Sequence, residues 1–216
     1  MSAAYDLVEK YVVDDTGRPD KAVIDANGSS VIMRRIRRAV LGMHRIDFWK
    51  KDFIEQLYVF EGPASMIQAI DTAFLPRIRA LGYVRKWDQT RVDMYQNNVT
   101  GAPKGSSFDE INPEKLLDGY GFDKQDTMYR SGSLIKLNSS IPISQVLLGW
   151  FQDPLLDPIN ASDSWILKDY PDLIAALVKR RIFKDIGKDD ESRNSDKEYE
   201  EELLKLQTNN ITLVVM

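Results

Sequence analysis

Residues 29–60 read SSVIMRRIRRAVLGMHRIDFWKKDFIEQLYVF, and the hydrophobic period changes within them. Ile32, Ile36, Val40 and Met43 recur at helical spacing, with Ala39 widening the stripe, so the first half predicts a helix from about Ser30 to Ile46. Ser29 or Ser30 supplies a hydroxyl to the free N–H groups at its start. From Phe53 to Phe60 β-branched and aromatic residues take over, and Gly62-Pro63 stops the run. That is strand chemistry. A chain that passes from helix to strand in this way, without a βα alternation around it, predicts an α+β fold.

Working outward, Leu7, Val8, Tyr11 and Val12 predict a short helix over Ala3–Val13 before the turn at Asp14–Pro19. Beyond Phe60, further strands are expected at Ser65–Ile70 and Arg77–Trp87. On the second of these Ile78, Ala80, Gly82 and Val84 face one way, and Arg77, Arg79, Leu81, Tyr83 and Arg85 the other. A polar interval, about Gln89–Gln125, follows. Strands resume at Thr127–Arg130, Leu134–Leu137 and Ile143–Phe151, the first two joined by a tight turn at Ser131-Gly132-Ser133.

The last third is helical. Asp169 is a cap ahead of Pro171, and Leu173, Ile174, Leu177, Val178, Ile182 and Ile186 form the apolar face that Gly187 ends. After a polar linker, Lys188–Asn194, the sequence Ser195-Asp196-Lys197-Glu198 reads as a capping box opening the final helix. The expected organisation is a helical bundle from the N- and C-terminal segments (1–50 and 164–210), packed with an antiparallel β-rich middle region (51–163) that carries an insertion at 89–125. Residues 211–216 read as an uncharged apolar tail that either docks back on its own core or adds to another chain, for example as a strand.

Composition narrows the chemistry. The chain has no cysteine and one histidine, which excludes disulfide frameworks, thiolate sites and multi-histidine metal centres. No catalytic residue and no metal ligand set is expected. Lys104-Gly105-Ser106 has the wrong order for a phosphate loop. Asp153, Asp157 and Asp163 sit among prolines and read as turn formers rather than cation ligands. His44 reads as a residue placed at a helix C-terminus, where the dipole favours it, with Asp47 as its nearby acid. The opening residues predict no secretory leader, and no apolar run is long enough to span a bilayer.

The formal charge of −4 conceals two opposed blocks. Residues 31–51 hold seven Arg and Lys against Asp47, a net of +6, while residues 188–202 hold eight acids against three bases, a net of −5. Nucleic-acid binding by the Arg-rich helix, 31–51, accounts for the first block alone. Blocks that face each other, within a chain or between copies, account for both.

Arg35–Trp49, the turn Phe74-Leu75-Pro76 and Ser164–Gln207, with Tyr170-Pro171-Asp172 opening a helix that leads into an acidic one, are laid out as in a known family. The chain resembles the head-to-tail adaptors of short-tailed bacteriophages, of the tail tubular protein A and tail accessory factor type. Its insertion is larger than that of the smaller adaptors. The resemblance implies a structural virion protein made in the host cytoplasm and sited in the neck of the tail, without enzymatic activity, cofactor or membrane association. It implies a homo-oligomeric ring, a dodecamer, between the portal protein and the tail nozzle. Such a ring extends the channel for genomic DNA, which passes without sequence specificity, and supports nozzle and fibre proteins. Under this reading Ile211, Leu213, Val214, Val215 and Met216 dock on the portal. Arg34, Arg35, Arg37 and Arg38 meet Glu198, Glu201 and Glu202 across ring contacts.

Overall fold

A computed structural model of the chain describes residues 3–87, 106–117, 121, 123–159 and 162–211. The fold is mixed α+β with antiparallel sheets. Two compact units divide it: residues 1–52 with 153–216, and residues 53–152.

The first unit holds helices α1 (Ala3–Thr16), α2 (Val31–Arg45), α3 (Trp165–Asp169), α4 (Pro171–Asp185) and α5 (Asp189–Ile211). Ser30 is the residue that caps α2: its backbone is extended and its Oγ accepts the Met33 N–H at 3.0 Å. The α2 stripe of Ile32, Ile36, Ala39, Val40 and Met43 is buried throughout. In α1 the buried face is Tyr5, Val8 and Val12, whereas Leu7 and Tyr11 are exposed. The apolar stripe expected from sequence was therefore rotated, because Tyr5 outweighs Leu7 as the first anchor. The central helix is α4. Leu173 through Val178 are buried in succession, followed by Ile182 and Phe183, so neighbours cover α4 around most of its girth.

Three expectations for this unit change. Asp169 does not cap α4. It ends α3 and pairs with Lys51 at 2.7 Å, and Tyr170 takes the cap position without a side-chain bond. Lys188–Asn194 is not a linker, since α5 begins at Asp189 with Asp189, Asp190 and Glu191 in its first turn, where the helix dipole favours acids. Ser195 consequently lies inside the helix, buried together with Ser192, whose Oγ donates to the Arg180 carbonyl at 3.3 Å. Small residues at these two positions let α5 approach α4 closely. Finally, residues 153–163 belong with the helices, because Leu156 and Ile159 are buried in the helical core and not against strands.

The second unit is built from β1 (Phe53–Val59), β2 (Ser65–Asp71), β3 (Ile78–Lys86), β4 (Asp109–Glu110), β5 (Thr127–Ser131), β6 (Leu134–Ile143) and β7 (Gln145–Gln152). The strands form two sheets, ordered β1-β7-β3 and β2-β6-β5-β4. Every pair is antiparallel except the short β4–β5 pair. The chain crosses from one sheet to the other at Ser144, so Ile143 closes β6 rather than opening β7. Both sheets contribute to one core: Ile70, Met128, Ile135 and Leu137 from one, Val84, Val146, Leu148 and Trp150 from the other. The β5–β6 turn is tight, with Ser131 opposite Leu134 and Gly132 at φ +63°.

The simple alternation expected along β3 fails. Its register against β7 shifts between Ile78 and Ala80 and again between Leu81 and Tyr83. Each shift inserts one residue and turns the following side chains over. Ile78, Leu81 and Val84 accordingly all pack on the same core. On the other face Phe53 lies across Gly82 and Gly149. A Cβ at Gly149 would stand 2.5 Å from Phe53 Cζ and 2.9 Å from the Tyr83 ring, so only glycine lets the ring seat there.

Candidate functional site

The four arginines expected at ring contacts project from α2, and three of them find partners within their own unit. Arg34 meets Asp25 at 2.6 Å, Arg35 pairs with Asp185, and Arg37 pairs with Asp157. Arg45 meets Asp153 at 2.5 Å. Hydrogen bonding to Arg34 holds the Asp25 carboxyl below its ordinary range. The intrachain version of the facing-blocks expectation is thus not what forms: the carboxylates on α2 come from aspartates 25, 153, 157 and 185. Arg38 is exposed and has no ion-pair partner among the described residues.

The acids expected at ring contacts do come together. Glu198, Glu201 and Glu202 on α5 line a cleft of about 390 Å³ with Asp15 of α1 and Asp172 and Lys179 of α4. Lys179 bridges Asp15 and Glu198, each at 2.8 Å. Burial pushes the Lys179 ammonium toward the neutral form, but the hydrogen bonds from these two carboxylates outweigh it and hold the lysine above its usual value. Glu202 pairs with Lys205. Asp172 and Glu201 have no ion-pair partner among the described residues, so the cleft is acidic overall. Glu198, Glu201 and Glu202 were expected at ring contacts, not in a cleft. Asp15, Asp172 and Lys179 were missed because they lie far away in the chain.

A second cluster was missed altogether. His44 Nε2 lies 2.9 Å from Ser164 Oγ, its Nδ1 lies 2.8 Å from Asp52 Oδ2, and Trp165 Nε1–H donates to Asp52 Oδ1 at 2.7 Å. The acid bonded to His44 is therefore Asp52, whereas the sequence pointed to Asp47, whose Oδ1 accepts the Phe48 N–H. An ionised carboxylate only accepts, so Nδ1–H donates to Asp52, while Nε2 and the Ser164 hydroxyl share a hydrogen bond whose direction follows the state of the ring. Ser164 Oγ in turn accepts the Leu167 N–H at 3.1 Å as the cap of α3. Carboxylate, imidazole and hydroxyl are in the connectivity of a hydrolytic triad. Their surroundings are not those of one: Ser164 and His44 are each 1% exposed, and the hydroxyl already serves as a helix cap. This cluster ties α2 and α3 to the segment entering the strands.

Asp153, Asp157 and Asp163 are spent on Arg45, Arg37 and the Leu155 N–H. Among the described residues no group of three or more His, Asp or Glu could hold a metal ion. No described helix is long and apolar enough to cross a membrane. Most of the insertion, 88–105 with 118–120 and 122, lies outside the described residues, and so do Leu213, Val214, Val215 and Met216. Ile211 is the last residue of α5. No known family model matches this chain, and no curated protein matches it.

Proposed function

We propose that this protein is a structural component of a virion, a ring-forming adaptor between a portal protein and a tail nozzle. The helices of the first unit act as a bundle that makes the ring, and the strands face the tail. Genomic DNA passes through the ring without sequence-specific contact. The observation that carries the reading is a set of opposite charges on separate elements that form no close ion pair among the described residues. Arg38 on α2 and Asp172 and Glu201 in the acidic cleft lack ion-pair partners among the described residues. They belong to different elements of one unit. Opposite charges on different patches suit a heterologous contact, in which one copy's patch meets the other patch of its neighbour and the series closes when the rotation fits. Charges of this kind set register and encounter more than they add affinity.

The Arg-rich helix is a weaker candidate for nucleic acid than its sequence suggests, because Arg34, Arg35, Arg37 and Arg45 already hold carboxylates. The deciding experiment is mass measurement of the chain alone and mixed with the portal protein of its phage, with electron microscopy of the mixture. Rings stacked on the portal are expected. A chain that never associates with portal or with itself overturns the reading.

A further inference from the structure

The β2–β6–β5–β4 sheet ends at β2 on an edge without a described strand beside it. β2 is bonded to β6 on one side and has no described strand on the other. Proteins usually protect such an edge with lysine, proline or a very short strand, because its free N–H and C=O groups recruit other chains. Here the strand runs seven residues, its register broken between Ser65 and Ile67 and continuous from Ile67 to Asp71, and Ser65 through Ile70 carry no charge. Ile67 is 68% exposed and Met66 43%, and Ile141 on the neighbouring strand is 48% exposed. Exposed apolar side chains therefore adjoin an edge that no described strand pairs with, where the Ile67 N–H is held by Ser65 Oγ at 3.2 Å.

The chain also contains a matching donor. Residues 212–216, Thr-Leu-Val-Val-Met, follow α5, carry no charge and include three β-branched side chains. Five extended residues span about 17 Å, which fits within the roughly 23 Å of a seven-residue strand. Both partners are uncharged, so pairing them desolvates no ion, and strand addition satisfies the backbone of each.

We infer that residues 212–216 of one copy add as a fifth strand to the β2 edge of a second copy. Resting on the ring reading for its neighbour, this proposal names the contact that holds neighbours together. Donor and acceptor lie on different parts of the chain, so each copy gives one strand and receives one, and a closed ring leaves no β2 edge open. The resemblance implies portal docking for this segment, and its residues alone suit either its own core or strand addition to another chain; the β2 edge offers it a seat on a neighbouring copy.

The absence of cysteine makes the test direct. Ile67→Cys and Val214→Cys chains are mixed, under ring-forming conditions and mild oxidation, and compared with a mixture of Phe74→Cys and Val214→Cys. Phe74 is equally open to solvent but lies at the other end of β2. A disulfide needs Cα atoms within about 7 Å, so only a seated segment reacts efficiently. The expected result is an Ile67–Val214 interchain product roughly tenfold more abundant than the control. Equal yields overturn the proposal. So does a doubly substituted chain that closes its disulfide internally at high dilution, and so does capture of Val214→Cys by portal in place of Ile67→Cys. Electron microscopy of the unsubstituted chain mixed with portal separates the two readings: rings without the cross-link refute strand exchange alone, whereas a chain that forms no ring alone or on portal refutes the adaptor reading.

Discussion

His44 Nδ1 stands 2.8 Å from Asp52 Oδ2, with both side chains almost wholly buried and Ser164 completing the chain of hydrogen bonds on the far side of the imidazole. Every polar atom of this cluster has a partner, including the Trp165 indole N–H. Removing one member strands the others away from water, which costs more than the bond itself contributed. His44→Ala is expected to destabilise the helical unit by about 3 kcal/mol, combining a cavity with an unpaired carboxylate. Ser164→Ala loses a cap and a partner and is expected to cost about 2 kcal/mol. Denaturant titration followed by tryptophan fluorescence measures both, since Trp165 contacts the His44 ring edge-on at 5.9 Å. A double variant no worse than His44→Ala shows that the two act as one unit.

Asp126 predicts an acid sensitivity in the strand unit. Burial pushes its carboxyl up, but Lys86, the Ser140 N–H and the Ser140 hydroxyl together hold it below its ordinary value. A carboxyl depressed on folding contributes stability at neutral pH, and that contribution is lost as pH falls through the folded-state value, below about 3.8. Asp126→Asn should flatten that acid-limb dependence of unfolding. Asparagine is the right replacement because the residue sits at φ +59°, a conformation that asparagine tolerates and alanine does not.

Gly149→Ala should strain the seat of Phe53. The added Cβ meets Phe53 Cζ and the Tyr83 ring well inside contact distance, and a cost of about 1–3 kcal/mol is expected from overpacking. Combining it with Phe53→Leu, which vacates the space, should recover part of the loss. Thermal unfolding of the three variants reads this out. Equal destabilisation with and without the ring would show that the glycine serves some other purpose.

Charge reversal tests the contact between copies. Arg38→Glu leaves every ion pair described for α2 intact and should weaken association of the chain by about tenfold. Glu201→Arg should do the same from the acidic side. Joining them in one chain restores complementarity and should restore assembly, as measured by native mass spectrometry at low salt. Association unchanged in both single variants would show that these charges do not meet.

Local chemistry was legible in the sequence wherever a single element decides it. The α2 stripe, the Ser30 cap and the Gly132 turn follow from spacing and side-chain type within a few residues. The errors occurred where a neighbour decides. Asp189–Asn194 looks like a solvated linker but is helical, because Ser192 and Ser195 pack against α4. Along β3 the alternation breaks because β7 imposes its register through two insertions. The candidate site divides in the same way: Glu198, Glu201 and Glu202 share a helix face, while Asp15 and Asp172 join them only by folding.

By itself the sequence determined the α+β character, the strongly opposed charge blocks and the absence of cysteine chemistry, all set by composition and short-range periodicity. Tertiary structure decided which carboxylates the α2 arginines hold, and it brought Asp52 and Ser164 to the two nitrogens of His44. Ser164 is 120 residues from His44 in the chain. No local pattern encodes so distant a pairing; burial selects it, since an imidazole taken out of water must find partners for both nitrogens.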